Sequence, residues 1–323
     1  MAPKKKSAKR RSPSRKPSAS QKPRAKISAT GAGSPITLQR DLRESIEREI
    51  AGRIRAHQRD VVRIRKNVLE GAEAPLMLLA HGDSWFDYPC NGNTYTPFST
   101  SDIIAHLLKM GNPRPKILNI SHHGDATTDE MGLAKQLRLI DALSNPDNWL
   151  TGGKPDAILF SGGGNDIAGD QFCIYLNYKD PTAPVPALDP NRFAGRLASI
   201  HASYLDLLLF RKRHANDVPI FGHGYDYPHP MKQHPPCAGP WVSPSLKFTG
   251  WNDTEGTQVL HDAIDAFHAM LVNLAGSDFI VVPTLGTLAY EDWANELHPH
   301  PPGFKKLAER FLMKLQEHFP GRI

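Results

Sequence analysis

The first 33 residues contain no acidic side chain. Met1–Gly33 carries 11 Lys and Arg and no Asp or Glu, with almost nothing apolar to bury. Chain entropy should therefore keep residues 1–35 a disordered tail. Of 39 basic residues, 28 lie beyond Gly33 against 33 acidic ones, so the net +6 belongs to the tail and the body is mildly acidic. Such a run could contact a polyanion, either nucleic acid or an anionic surface; the plainer alternative is a solubilising spacer. Cysteine is scarce too. Cys90, Cys173 and Cys237 are odd in number and widely spaced, which argues against a disulfide framework and fits a reducing, cytoplasmic setting. No stretch approaches the roughly 18 apolar residues of a membrane span. None of the roughly 7–15 residues of a signal core follows the basic start, so no secretory leader is expected. "SGGGND" (Ser161–Asp166) is glycine-rich but lacks the Lys-Ser/Thr of a phosphate loop and the spaced glycine of a dinucleotide turn. No cofactor is expected.

What is present is a chain of 323 residues with 40% hydrophobic content, enough for a sizeable core. Residues 36–72 form a separate element. From Leu38 to Leu69 there is no proline, and Leu42, Ile46, Ile50, Ile54, Val61, Ile64 and Val68 make one stripe of a long helix. Over 73–323 short apolar runs alternate with helical stretches. The strands expected are Leu76–Ala80, Lys116–Ser121, Ala157–Ser161, Pro219–Gly222 and Phe279–Pro283. The helices expected are Ser101–Met110, Thr127–Ala142, Asn191–Arg211, Thr254–Ala275 and Gly303–His318. Thr127–Ala142 opens on a Thr-x-x-Glu capping box and sets Leu133, Leu137 and Ile140 on one face. This alternation implies an α/β fold wound around about five parallel strands, with ligands bound beyond the strands' carboxyl ends.

Function is therefore to be sought just after each strand. The first is followed by "GDSWFDYP", the second by "HHGDATTDEM" and the third by "GGGNDIAGD"; past the fifth, "ANELHPHPPGF" leads into the last helix. Ser84, Gly124, Asn165 and His298 stand at these tips. Their order and context, from Leu76 to the end, resemble the SGNH (GDSL-type) hydrolases. The resemblance implies a flavodoxin-like three-layer α/β/α sandwich and cleavage of carboxylic esters or thioesters through an acyl-serine intermediate; some relatives transfer the acyl group instead. It also implies that Ser84 is the nucleophile, that His298 is the base, and that the Ser84 N–H, the Gly124 N–H and the Asn165 amide form the oxyanion hole.

The residue chemistry agrees. A serine hydroxyl attacks a carbonyl only when a neighbouring base takes its proton. Each well-placed oxyanion donor is worth about 3 kcal/mol. Asp83 and Asp166 beside these residues suit a supporting role, holding loops through backbone amides. One position departs from the family: three residues before His298, where Asp is usual, stands Asn295. An amide oxygen can accept the imidazole N–H but brings no charge; in a serine protease the Asp-to-Asn change lowers the rate by about 10⁴. By its position Asn295 is the first choice to orient His298; Asp292 reaching it from the preceding turn, a Ser–His dyad using a backbone carbonyl, and a domain that binds without turnover are the alternatives. Trp85 stands where the family often has Leu.

Three long connections on one face, after Ser84, over Asp170–Pro190 and over Tyr225–Trp251, are candidates for a roof over the nucleophile. Trp85, Phe86, Tyr88, Tyr95 and Phe98 could line an acyl pocket or stack on a sugar. The expected partner is thus a small-molecule, glycan or lipid ester. His223, His229, His234 and Cys237 gather in the last connection, but at no familiar zinc spacing, and no metal is expected. The rivals to a hydrolase are an acyltransferase of the same fold and a weakened acyl- or carbohydrate-binding domain with a polyanion-binding tail.

Overall fold

The computed structural model describes residues 35–89, 101–150, 152–230 and 239–323. The chain divides into two compact units, Met1–Arg43 and Glu44–Ile323. The boundary falls inside helix α1 (Pro35–Leu69). Along the part of α1 that belongs to the larger unit, Ile50 and Val61 are buried while Ile46 and Ile54 pack at the margin of the core, as an amphipathic stripe should.

Five strands follow: β1 (Met77–Gly82), β2 (Lys116–Asn119), β3 (Ala157–Ser161), β4 (Ile220–His223) and β5 (Phe279–Val282). All pair in parallel, in the order β2-β1-β3-β4-β5. β1, β3 and β4 are buried along their whole length, which explains their nearly continuous apolar runs. β1 runs two residues further than its apolar stretch suggests, because His81 and Gly82 pair with Phe160 and Ser161. Gly82 is obligatory there: its φ is +151°, and a Cβ would collide with the Ser161 backbone.

The helices are α2 (Ile103–Leu107), α3 (Thr127–Glu130), α4 (Leu133–Ser144), α5 (Gly164–Ile167), α6 (Pro190–His214), α7 (Ser243–Phe248), α8 (Asp253–Leu274) and α9 (Pro301–His318). With the sheet between helical layers, the architecture is the three-layer sandwich expected. α8 has a complete capping box between Asn252 and Glu255 and buries Leu260, Ile264, Phe267 and Leu271. The single helix expected over Thr127–Ala142 is instead two, broken at Met131–Gly132. Thr127 does not cap it. Its hydroxyl and backbone N–H go to the Asp166 carboxylate at 2.9 and 2.7 Å, and Ala126 takes the cap position. The break also turns α4, so Leu133 and Leu137 face outward and Leu139, Ala142 and Leu143 face the core.

Among the described residues no helix is long and apolar enough to cross a membrane. Cys90, Tyr95, Phe98, His234 and Cys237 lie outside the described residues, as does most of the tail.

Candidate active site

Four strand tips meet at the carboxyl edge of the sheet. Directly after β1 the chain turns over Asp83–Asp87: the N–H groups of Phe86 and Asp87 both return to the Asp83 carbonyl, at 3.1 Å each. Ser84 sits inside that turn with only 8% of its surface exposed. Its hydroxyl lies 2.8 Å from Nε2 of His298, across 214 residues of sequence.

His298 is delivered by a tight bend ahead of α9. Its carbonyl accepts the Ala294 N–H at 3.0 Å, and the His300 N–H reaches the Asp292 carbonyl at 2.7 Å. Asn295 Oδ1 closes the inside of that bend. It accepts the backbone N–H groups of Leu297 and His298 at 3.0 and 2.8 Å and stands 3.3 Å from His298 Nδ1. An amide oxygen can only accept, so Nδ1 carries the proton and Nε2 is left as the base facing Ser84. Asp292 is not the partner. Its carboxylate holds Lys306 at 2.6–2.8 Å and the Ala289 N–H at 2.9 Å. Burial lowers the His298 pKa to about 3, the nearby His123 adding to the effect. With no carboxylate opposite Nδ1, the ring rests neutral, the form a base needs.

Asp83 is held by three donors: Ser161 Oγ at 2.7 Å, the Tyr225 hydroxyl at 2.6 Å and the Trp85 N–H at 3.0 Å. Burial pushes its carboxyl up to about 6 against those bonds, with the Asp125 charge adding to the rise. Tyr225 adopts φ +62°, unusual for a bulky residue, and its N–H donates to His223 Nδ1 at 3.2 Å. His223 in turn lies 3.0 Å from Ser161 Oγ. A closed buried ring of groups thus fixes the turn that carries the serine.

Gly124 lies exposed in the loop after β2 with φ +84°, and no atom stands within 4 Å of where its Cβ would be. A substrate can approach that backbone closely. Asn165 opens α5, and its Nδ2 donates to the Asp125 carbonyl at 2.9 Å, tying the third tip to the second. A primary amide has a second N–H to offer. Asp166, as expected of a support, binds the Thr127 backbone and hydroxyl.

Beside Ser84, Asn165 and His298 opens a cleft. Its walls are apolar: Ile167, Ala168, Val242, Leu260, Ala263 and Ile264. Of its two carboxylates, Asp83 is bonded as above and Asp226 accepts the N–H groups of Gly286 and Leu288 at 2.7 Å each. The site therefore presents a largely apolar surface next to the nucleophile, with both carboxylates engaged by protein donors.

Several neighbours of the site were not singled out from sequence. Glu296 is fully buried, and its carboxylate accepts the backbone N–H groups of Trp241, Val242 and Ser243, at 2.5, 2.9 and 3.1 Å, fixing one wall of the cleft. Trp241 approaches the His298 ring edge-on at 5.3 Å, and the ring of Tyr88, one of the aromatics named from sequence, lies tilted against it at 4.3 Å. Among the described residues no cluster of His, Cys, Asp and Glu could hold a metal ion. His223 belongs to the network under Asp83, and His229 packs on Tyr290 and Trp293.

No family model matches the chain, and no curated protein matches it. Solved structures do. An extracellular lipase from Streptomyces rimosus aligns over 74% of this chain and 99% of its own, at 17% identity and TM-score 0.48. An aryl esterase from M. smegmatis aligns over 75% and 99%, at 12% identity and TM-score 0.43. A carbohydrate acetylesterase from Sinorhizobium meliloti aligns over 76% and 100%, at 13% identity and TM-score 0.43. The five-stranded parallel sheet between helical layers, with its Gly-Asp-Ser, Gly, Gly-x-Asn-Asp and His-Pro tips converging at one edge, is the three-layer arrangement that the resemblance to the SGNH hydrolases implied.

Proposed function

We propose that the chain is a serine hydrolase of uncharged, apolar carboxylic esters. The observation that carries this is the 2.8 Å contact of Ser84 Oγ with a neutral His298 at the mouth of an apolar cleft. In this reading His298 Nε2 takes the Ser84 proton as Oγ attacks the ester carbon. The carbonyl π pair moves onto oxygen, where the N–H groups of Ser84 and Gly124 and the second amide N–H of Asn165 receive it. As that oxygen re-forms its double bond, the C–O bond to the alcohol breaks and His298 returns the proton to the leaving oxygen. Water then repeats the sequence on the acyl-serine, activated by the same imidazole and releasing the acid.

Asn295 supports the ring's tautomer without adding charge, so the transient imidazolium is less stabilised than in a carboxylate triad. The apolar walls and the bonded state of Asp83 and Asp226 favour an uncharged substrate group, since an unpaired charge there would be desolvated at heavy cost.

Labelling with a fluorophosphonate followed by peptide mapping tests this. Modification is expected at Ser84, absent in Ser84→Ala and strongly slowed in His298→Ala. Labelling elsewhere, or at an unchanged rate without His298, would overturn it. An acyltransferase would reveal itself by new ester when an alcohol acceptor is supplied.

A further inference from the structure

Arg53 reaches the catalytic edge from helix α1, which contributes no residue to the catalytic set above. Its guanidinium forks. Nη1 donates to the Ser121 carbonyl at 3.1 Å, and Nη2 donates to Asp87 Oδ1 at 2.6 Å and to Glu49 at 2.6 Å. The two outer ends of this fork belong to different strand tips. Asp87 closes the turn that holds Ser84 through its N–H to the Asp83 carbonyl. Ser121 begins the loop that leads to Gly124. That loop is also held to β1 by the His122 N–H, 2.9 Å from the Gly82 carbonyl. Asp87 makes a second link, with Oδ2 3.8 Å from His123 Nδ1, one residue before Gly124.

We propose that Arg53 is a positioning residue that sets the spacing between the Ser84 turn and the Gly124 loop, and with it the geometry of the oxyanion hole. This rests on the roles proposed for Ser84 and Gly124 above. Two of the three donors of this hole, the N–H groups of Ser84 and Gly124, come from separate loops, so their spacing is only as fixed as whatever spans those loops. A planar, permanently charged fork with two well-separated N–H ends suits that task, and a lysine cannot reproduce it. The pairing is partly sheltered, Arg53 and Asp87 having side chains 26% and 15% exposed. Burial opposes ionisation of Asp87, yet the His123 contact and the Arg53 charge outweigh it and hold the carboxyl below its usual range.

The test compares Arg53→Met, Arg53→Lys and Asp87→Asn with the full-length wild type. Four quantities are read: thermal midpoint, kcat and KM on p-nitrophenyl acetate, fluorophosphonate labelling rate, and affinity for phenylboronic acid as a tetrahedral mimic. Displacement of a donor by a fraction of an ångström is expected to lower kcat about 10- to 100-fold in Arg53→Met, with KM within about twofold. Boronate affinity should fall alongside kcat. Asp87→Asn should lose less, and adding it to Arg53→Met should cost little more. Arg53→Lys should recover only part of kcat.

A folded Arg53→Met with wild-type kcat and boronate affinity overturns the proposal, as does a lowered thermal midpoint with unchanged turnover per folded molecule. Should Arg53→Met not fold, the Lys and Asn variants decide by the same readouts. A wild type that is neither labelled at Ser84 nor active would instead refute the hydrolase assignment, which separates the two failures.

Discussion

The side-chain oxygen of Asn295 lies 3.3 Å from Nδ1 of His298 and 2.8 Å from the same residue's backbone nitrogen. It therefore fixes the bend and the ring together, and every contact it makes there is one a carboxylate oxygen could also accept. Its amide nitrogen lies 3.4 Å from the Tyr88 hydroxyl, which could donate to a second carboxylate oxygen instead. Asn295→Asp should thus fit, bring a negative charge to Nδ1 and raise the imidazole pKa from about 3. We expect kcat to rise about tenfold, with a new acid limb in the pH–rate profile. Loss of activity in a folded Asn295→Asp would show that charge at this position is harmful.

Asp292 should behave oppositely. Tied to Lys306 and the Ala289 N–H, it serves the turn before the histidine. Asp292→Ala should lower the thermal midpoint by an amount equivalent to roughly 1–2 kcal/mol while leaving turnover per folded molecule unchanged. Unfolding scans and active-site titration with the fluorophosphonate measure both.

With His298 neutral down to about pH 3, the carboxyl under the Ser84 turn that titrates in the wild type's working range is Asp83, at about 6. Protonation weakens its hold on Ser161, Tyr225 and the Trp85 N–H, loosening the Ser84 turn, so kcat/KM should decline below about pH 6. The Tyr225 hydroxyl bond lowers that pKa. Tyr225→Phe removes the bond and should move the limb to higher pH. A limb that stays in place would detach it from Asp83.

Glu130 is completely buried, and among the described residues neither carboxyl oxygen has a hydrogen-bond partner. Burial raises its pKa well above the usual range, the charges of Asp83, Asp125 and Asp166 adding to the rise. The unfolded chain loses this proton from about pH 4.5 upward while the folded chain keeps it, so stability drains as pH rises toward the folded pKa. Glu130→Gln removes that drain. Its thermal midpoint relative to wild type should be near equal at pH 5 and clearly higher at pH 8.

The cleft walls predict a chain-length profile. Each methylene that leaves water for Ile167, Val242, Leu260 and Ile264 is worth about 0.8 kcal/mol, or about fourfold in kcat/KM, until the chain meets the end wall. Ala168 lines the cleft while partly exposed, so Ala168→Leu should shorten the preferred p-nitrophenyl ester without unfolding the protein. A profile falling steadily from acetate in both proteins would place the apolar group on the alcohol side.

The parallel sheet was legible because buried strands need continuous apolar runs, and the tips because Ser84, Gly124 and Asn165 each interrupt such a run at its end. Thr127 shows the limit. Its local sequence fits a helix cap, but the folded chain brings Asp166 within 2.9 Å of its hydroxyl, and that long-range bond wins. Glu296 and Arg53 were invisible for the same reason, their partners lying 53–55 and 34–68 residues away. Glu296 stands between Asn295 and Leu297, and nothing in that local sequence says that it is buried or what its charge holds. The choice between Asn295 and Asp292 turned on which way a side chain points within one bend, and spacing alone does not encode that.

Arg53 sits upstream of every residue in the four tip motifs, anchored by neighbours on α1 that reach the body on their own: His57 to the Asn148 carbonyl at 2.8 Å, and Asp60 to Lys116. A chain trimmed to begin at β1 would retain the serine, the histidine and both asparagines, yet leave Asp87 and the Ser121 carbonyl facing solvent. On the positioning role proposed for Arg53, the smallest unit expected to keep the full rate starts ahead of Glu49, well before the first of the four tips.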